Sequence, residues 1–91
     1  MALAMLFNRA SMNATQYDAC IKRLEAAGAG APQGRLYHVC FGSNEQRQVF
    51  DIWDSMASFE KFGQTLMPIL QQLGADPGQP EISPIHNTIK G

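Results

Sequence analysis

Gln48-Val49-Phe50-Asp51-Ile52-Trp53-Asp54-Ser55, running straight into Met56-Ala57-Ser58-Phe59-Glu60-Lys61-Phe62, changes period at Ser55. Before the serine, β-prone residues alternate, with Val49, Asp51 and Trp53 on one face and Phe50 and Ile52 on the other. After it, Phe59, Phe62, Leu66, Ile69, Leu70 and Leu73 recur at helical spacing. A strand therefore delivers a tryptophan and a carboxylate to the edge of an amphipathic helix, with Ser55 as the helix cap.

Working back from this stretch, Leu36 to Phe41 reads as a second strand, and Gly42-Ser43-Asn44-Glu45-Gln46 as the hairpin turn joining the two. If residue 41 pairs with residue 48, His38 lies opposite Asp51; a one-residue slip places them on opposite faces. Residues 2–9 form a first strand, with Leu3, Met5 and Phe7 on one side and Ala4, Leu6 and Asn8 on the other. Both sides are mostly apolar, which predicts a central strand covered twice. Asn13 then caps a helix, with Gln16 three residues on to bond back to the cap. That helix sets Tyr17, Cys20, Ile21 and Leu24 on one stripe and stops at Gly28. The glycines of residues 28–34 follow a helix and precede a strand, the reverse of the order a phosphate-binding turn needs.

Working forward, Pro68 falls inside the second helix and removes the backbone bond to Gln64. A kink or break is expected near Met67, with Pro68 opening a short second segment that ends at Gly74. Asp76-Pro77-Gly78 is a turn, and Pro80 to Ile89 a last strand, interrupted or at an edge at Pro84. The order strand, helix, strand, strand, helix, strand over residues 1–91 predicts one α+β domain of the ferredoxin-like βαββαβ type. Its sheet is antiparallel with both helices on one face, and the first and third strands are expected central and parallel. An apolar sheet face is left without a helix, and a second copy is its natural cover, giving a homodimer through the open sheet face.

Bulk properties narrow the function. Charged residues are 16% of the chain and hydrophobic ones 45%, so few charges remain to solvate every face, which again favours an oligomer. A formal net charge of -1 supplies no basic field, so nucleic acid is not an expected partner. No apolar run approaches the roughly 18 residues of a membrane span, and no membrane partner is expected. The apolar start is too short for a secretory core segment, and Cys20 and Cys40 read as small core hydrophobes without metal or disulfide spacing. The expected location is cytoplasmic.

Asp51-Ile52-Trp53-Asp54-Ser55 followed by Phe59, with Asn8-Arg9 at the end of the first strand, resembles the dimeric α/β-barrel superfamily that contains the antibiotic-biosynthesis-monooxygenase-like domains. Gln16-Tyr17-Asp18, His38-Val39-Cys40, Leu66-Met67-Pro68 and Pro84-Ile85-His86-Asn87 extend the likeness toward a group of short bacterial proteins of uncharacterised function. The resemblance implies a dimeric barrel, and members range from cofactor-free oxygenases of polyphenols to haem-degrading oxygenases. Asn8 and Trp53 fall where haem-degrading members carry their catalytic Asn and Trp. Those members also ligate iron with a histidine a helix length beyond the Trp, and residues 56–73 here contain none. No cofactor and no metal site is expected.

The candidate site centres on His38 and Asp51. A carboxylate on the face of Trp53 is expected to be buried only if paired, and His38 is the available partner. Such a pair beside a Trp can serve as a general base, with the Asp orienting the ring, or as a buried hydrogen bond that orders two strands. Trp53 is either a stacking wall for a flat ligand or plain core beneath the second helix. Asn8, Arg9 and Tyr17 are candidate ligand contacts from the first strand and helix, and His86 and Asn87 from the last strand, in trans in a dimer. Two readings of function stand: a cofactor-free monooxygenase-like or isomerase-like enzyme acting on an aromatic or polyketide-like compound, or a non-catalytic binding or structural module.

Overall fold

The hairpin sets the register of the sheet. In the computed structural model, which describes residues 2–89 and 91, β2 (Arg35–Gly42) and β3 (Arg47–Trp53) pair antiparallel through Phe41 with Gln48 and His38 with Asp51. This register turns Val49, Asp51 and Trp53 inward together, and all three are buried. β1 (Leu3–Phe7) lies beside β3, matching Phe7 with Val49, Met5 with Asp51 and Leu3 with Trp53. β4 (Glu81–Pro84) flanks β1 on the other side, so the strand order is β2-β3-β1-β4.

β1 and β3 are central, as expected, but antiparallel rather than parallel. The reason is topological. Each helical crossover makes the strands it joins parallel, here β1 with β2 and β3 with β4, and the hairpin then reverses β3 against β2. β3 inserted between β1 and β2 must therefore run against both.

α1 (Ala14–Ala26) starts at Asn13, whose side chain accepts from the Gln16 N–H at 2.8 Å while the Gln16 amide accepts from the Asn13 N–H at 2.9 Å. α2 (Met56–Leu73) starts at Ser55, whose hydroxyl accepts from the Ser58 N–H, and stops at Gly74, the left-handed residue that ends many helices. The break expected at Pro68 does not occur: α2 is one helix of 18 residues. Pro68 and Gln64 are both exposed, so the carbonyl that the proline leaves without its helical partner lies on the solvent side of the helix rather than in the core. The last strand is shorter than expected, ending at Pro84 rather than continuing to residue 89. Proline has no N–H for a ladder, and after it the chain makes one backbone bond, Ile85 N–H to Ala2 C=O, before leaving the sheet.

Both helices cover one face of the sheet, and the core lies between. Met5 and Trp53 are fully buried, with Phe7, Cys20, Leu24, Val49, Phe62 and Leu70 around them. The opposite face carries Leu6, Tyr37, Val39, Phe41, Phe50 and Ile52, with Tyr37 and Phe41 exposed and Tyr37 edge-on to Phe50. Among the described residues, no helix is long and apolar enough to cross a membrane.

Candidate active site

The alternation of β2 and β3 puts His38 and Asp51 side by side on the helix-covered face, and α1 lays Tyr17 across them. His38 Nδ1 lies 2.6 Å from Asp51 Oδ1, and the Tyr17 hydroxyl lies 2.7 Å from His38 Nε2. The second oxygen of Asp51 accepts from the Trp53 indole N–H at 3.3 Å. The phenol and imidazole ring planes are nearly parallel, 6° apart. Asp51 is 5% exposed and has both oxygens engaged, which is the condition for keeping a carboxylate in a core.

The direction of these bonds follows from which imidazole nitrogen carries the proton. Burial, and after it the nearby Cys40 thiol, push the Tyr17 pKa up to about 12, against a downward pull from Arg35. The phenol therefore stays protonated near neutral pH, and when the imidazole is uncharged it can donate to Nε2. His38 then carries its proton on Nδ1 and donates it to Asp51. This arrangement leaves a basic lone pair on Nε2, aimed at Tyr17.

The Tyr17 and His38 end of the network opens on a cavity of about 70 Å³ between sheet and helices, walled largely by apolar groups including Phe7, Met12, Leu24, Phe59 and Leu66. Asp51 and Arg35 also line it. Trp53 does not. Its indole is sealed behind the cavity, edge-on to Phe59 at 5.6 Å and tilted against Phe62 at 5.4 Å, so the aromatic wall is presented by the phenylalanines of α2.

The other candidates lie elsewhere. Asn8 and Arg9 follow β1 and do not line the cavity; Arg9 is exposed, and the Asn8 side-chain oxygen is buried without a hydrogen-bond partner. His86 and Asn87 are exposed beyond β4, beside Phe50 and Ile52 in a shallow groove on the open sheet face. Within one chain the sheet separates them from His38. Arg35 escaped the sequence reading because the second strand reads from Leu36; alternation carried back one residue would put it on the face of Tyr37, away from His38.

Cys20 and Cys40 are free, and burial raises both thiols, which disfavours the nucleophilic thiolate. No three His, Cys, Asp or Glu side chains gather as a metal site among the described residues. The residues do not fit haem either: the cavity is a small fraction of a porphyrin's volume, and α2 presents no histidine to it.

No family model matches the chain, and no curated protein does. Two solved structures do. One is a "putative monooxygenase" from Shewanella loihica PV-4, 21% identical, with 96% of each chain covered and a TM-score of 0.50. The other is SnoaB, a cofactor-independent oxygenase from Streptomyces nogalater, 11% identical, covering 99% of this chain and 95% of that one, with a TM-score of 0.59. At these identities the likeness concerns the backbone alone: the chain shares the ferredoxin-like α+β fold of both structures.

Proposed function

We propose that this protein binds a small aromatic or polyketide-like compound in the cavity between sheet and helices and removes a proton from it, as a cofactor-free monooxygenase-like enzyme. The observation that carries this reading is the hydrogen-bonded chain Tyr17–His38–Asp51 ending at an otherwise apolar cavity. Asp51 holds the Nδ1–H tautomer, so Nε2 is the base; a ligand hydroxyl that displaces the Tyr17 phenol meets that lone pair directly. Once the ring is protonated, Nε2–H becomes a donor and Asp51 lies against the new positive charge. The apolar walls exclude water, which strengthens both interactions. An electron-rich anion formed this way is the species that reacts with oxygen unaided, and the fold shared with a cofactor-independent oxygenase favours that outcome over isomerisation.

Ligand pockets usually start near 300 Å³, so a ring-bearing ligand needs the Phe59 and Leu66 side of α2 to move off the sheet. The open face, with Tyr37, Val39, Phe41, Phe50 and Ile52, supports a homodimer as the working unit, and its groove would set His86 and Asn87 at the interface. Two observations favour the second reading, a binding or structural module: both carboxylate oxygens of Asp51 are satisfied without a ligand, and Trp53 is sealed from the cavity.

A screen of phenols, naphthols and quinols separates the readings. Binding to the native state raises the melting temperature, and a true substrate consumes oxygen in proportion to enzyme. Compounds that bind without turnover support the module, and a panel that moves neither the melting temperature nor the His38 ring resonances removes the cavity from consideration.

A further inference from the structure

β2 carries a bulge whose effect is to bring an arginine into the lining of the cavity. Arg35 pairs with Trp53 and Tyr37 with Ile52, so Leu36 is an extra residue against β3. In a regular strand Arg35 shares a face with Tyr37, on the open side of the sheet. The bulge resets the count and brings Arg35 onto the face of His38, among the cavity-lining groups. It does so at the expense of a leucine, since Leu36 is left 63% exposed. Gly34 makes the entry possible: its φ is +93°, and a Cβ there would collide with the Ser58 side chain. An apolar residue expelled so that an arginine can turn inward breaks the local folding rule, which is expected where function sets the constraint.

Arg35 has no carboxylate partner among the described residues. One guanidinium N–H donates to the Gly30 carbonyl at 3.1 Å, and the group sits 5.7 Å from the centre of the Phe62 ring. These contacts hold the side chain and leave most of its five donors free. Arg35 is the one Lys or Arg in the cavity lining, and its charge reaches the Tyr17 phenol. Asp51 offers no competition for it, with both oxygens already used.

We propose that Arg35 is the anion-recognising residue of this cavity, and that the ligand is a small aromatic or enolisable compound bound as its oxyanion. The inference rests on the cavity being a ligand site. The division of labour follows: His38 Nε2 takes the proton from the ligand hydroxyl, and the guanidinium receives the negative oxygen left behind. Arginine suits this task because its fork donates two parallel bonds to one oxygen or to adjacent ones, and it keeps its charge at any working pH.

The test uses 4-nitrophenol, whose ionised form is coloured, beside its neutral methyl ether 4-nitroanisole, with wild type, Arg35→Gln and Arg35→Lys. In wild type the bound phenol should ionise at lower pH than the free dye, read from its visible band. Arg35→Gln should weaken phenolate binding on the order of 10-fold or more while 4-nitroanisole binds as before, and Arg35→Lys should recover part of the loss. Binding of both compounds with no downward shift in ionisation overturns the role of Arg35 and leaves the ligand site standing, and this arm needs no variant to fold. Binding of neither compound at millimolar concentration overturns the ligand site and the inference together.

Discussion

Replacing Asp51 with asparagine preserves the shape of the side chain and exchanges one acceptor oxygen for an NH₂ donor. The carboxylate currently accepts twice, from His38 Nδ1 at 2.6 Å and from Trp53 Nε1 at 3.3 Å. The amide can accept only one of these. Trp53 is a fixed donor in a fully buried site, so the Asn oxygen must serve it, and the NH₂ then faces His38 Nδ1. The ring answers by moving its proton to Nε2 and donating to the Tyr17 oxygen. The basic lone pair now points at residue 51 instead of toward the cavity. Two charge-assisted bonds, each worth about 1.5–3 kcal/mol, become neutral ones worth about 0.5–1.5, so stability should fall by about 2 kcal/mol. For a domain of this size that lowers the melting temperature by roughly 8–16 °C. Any turnover should drop about 100-fold or more, because the base is in the wrong tautomer. Long-range ¹H–¹⁵N correlation on the histidine ring reads the tautomer directly, and urea denaturation reads the stability. If Asp51→Asn keeps the Nδ1–H tautomer and the wild-type midpoint, the proposed network does not govern His38. A stability loss with unchanged turnover assigns the network to structure alone.

Titration at 295 nm should show one phenol ionising only near pH 12, absent in Tyr17→Phe. Because the folded pKa lies above the unfolded one, this group's stabilisation is complete below about pH 10 and is lost as the pH rises toward 12; a Tyr17→Phe variant with the same alkaline unfolding profile contradicts that. Pro68→Ala should leave the fold intact and raise stability by up to about 1 kcal/mol, since it restores a helical bond at an exposed position; a loss above that size means the proline ring shapes packing. Gly34→Ala should cost about 1–3 kcal/mol through its positive φ and the collision with Ser58, and it should weaken phenolate binding with Arg35 unaltered; wild-type stability denies the strained entry to β2. Sedimentation should find a dimer at micromolar concentration, with an interface above roughly 1,200 Å², and Phe50→Lys should dissociate it; a wild-type monomer leaves the open face without its proposed cover.

Local signals determined a good deal. The change of period at Ser55, the Asn13 and Gln16 capping pair and the Gly42–Gln46 turn are properties of neighbouring residues, and each forms as read. The grouping of Val49, Asp51 and Trp53 on one face follows from the two-residue repeat of any strand. What the sequence left conditional was everything that depends on distance through space. Whether His38 faced Asp51 turned on the register of the β2–β3 hairpin, which pairs Phe41 with Gln48; a one-residue slip would place the two side chains on opposite faces. The Tyr17 hydroxyl reaches a ring 21 residues away because α1 crosses β2 at that point, and no spacing rule encodes a crossing. The antiparallel run of β1 and β3 is a matter of chain routing. Pro68 reads locally as a break, but solvent at its face and packing of the opposite stripe carry the helix through. Arg35 is the sharpest case: periodicity alone places it on the wrong side of the sheet, and one bulged residue, visible only when β2 is laid against β3, brings it to the cavity lining.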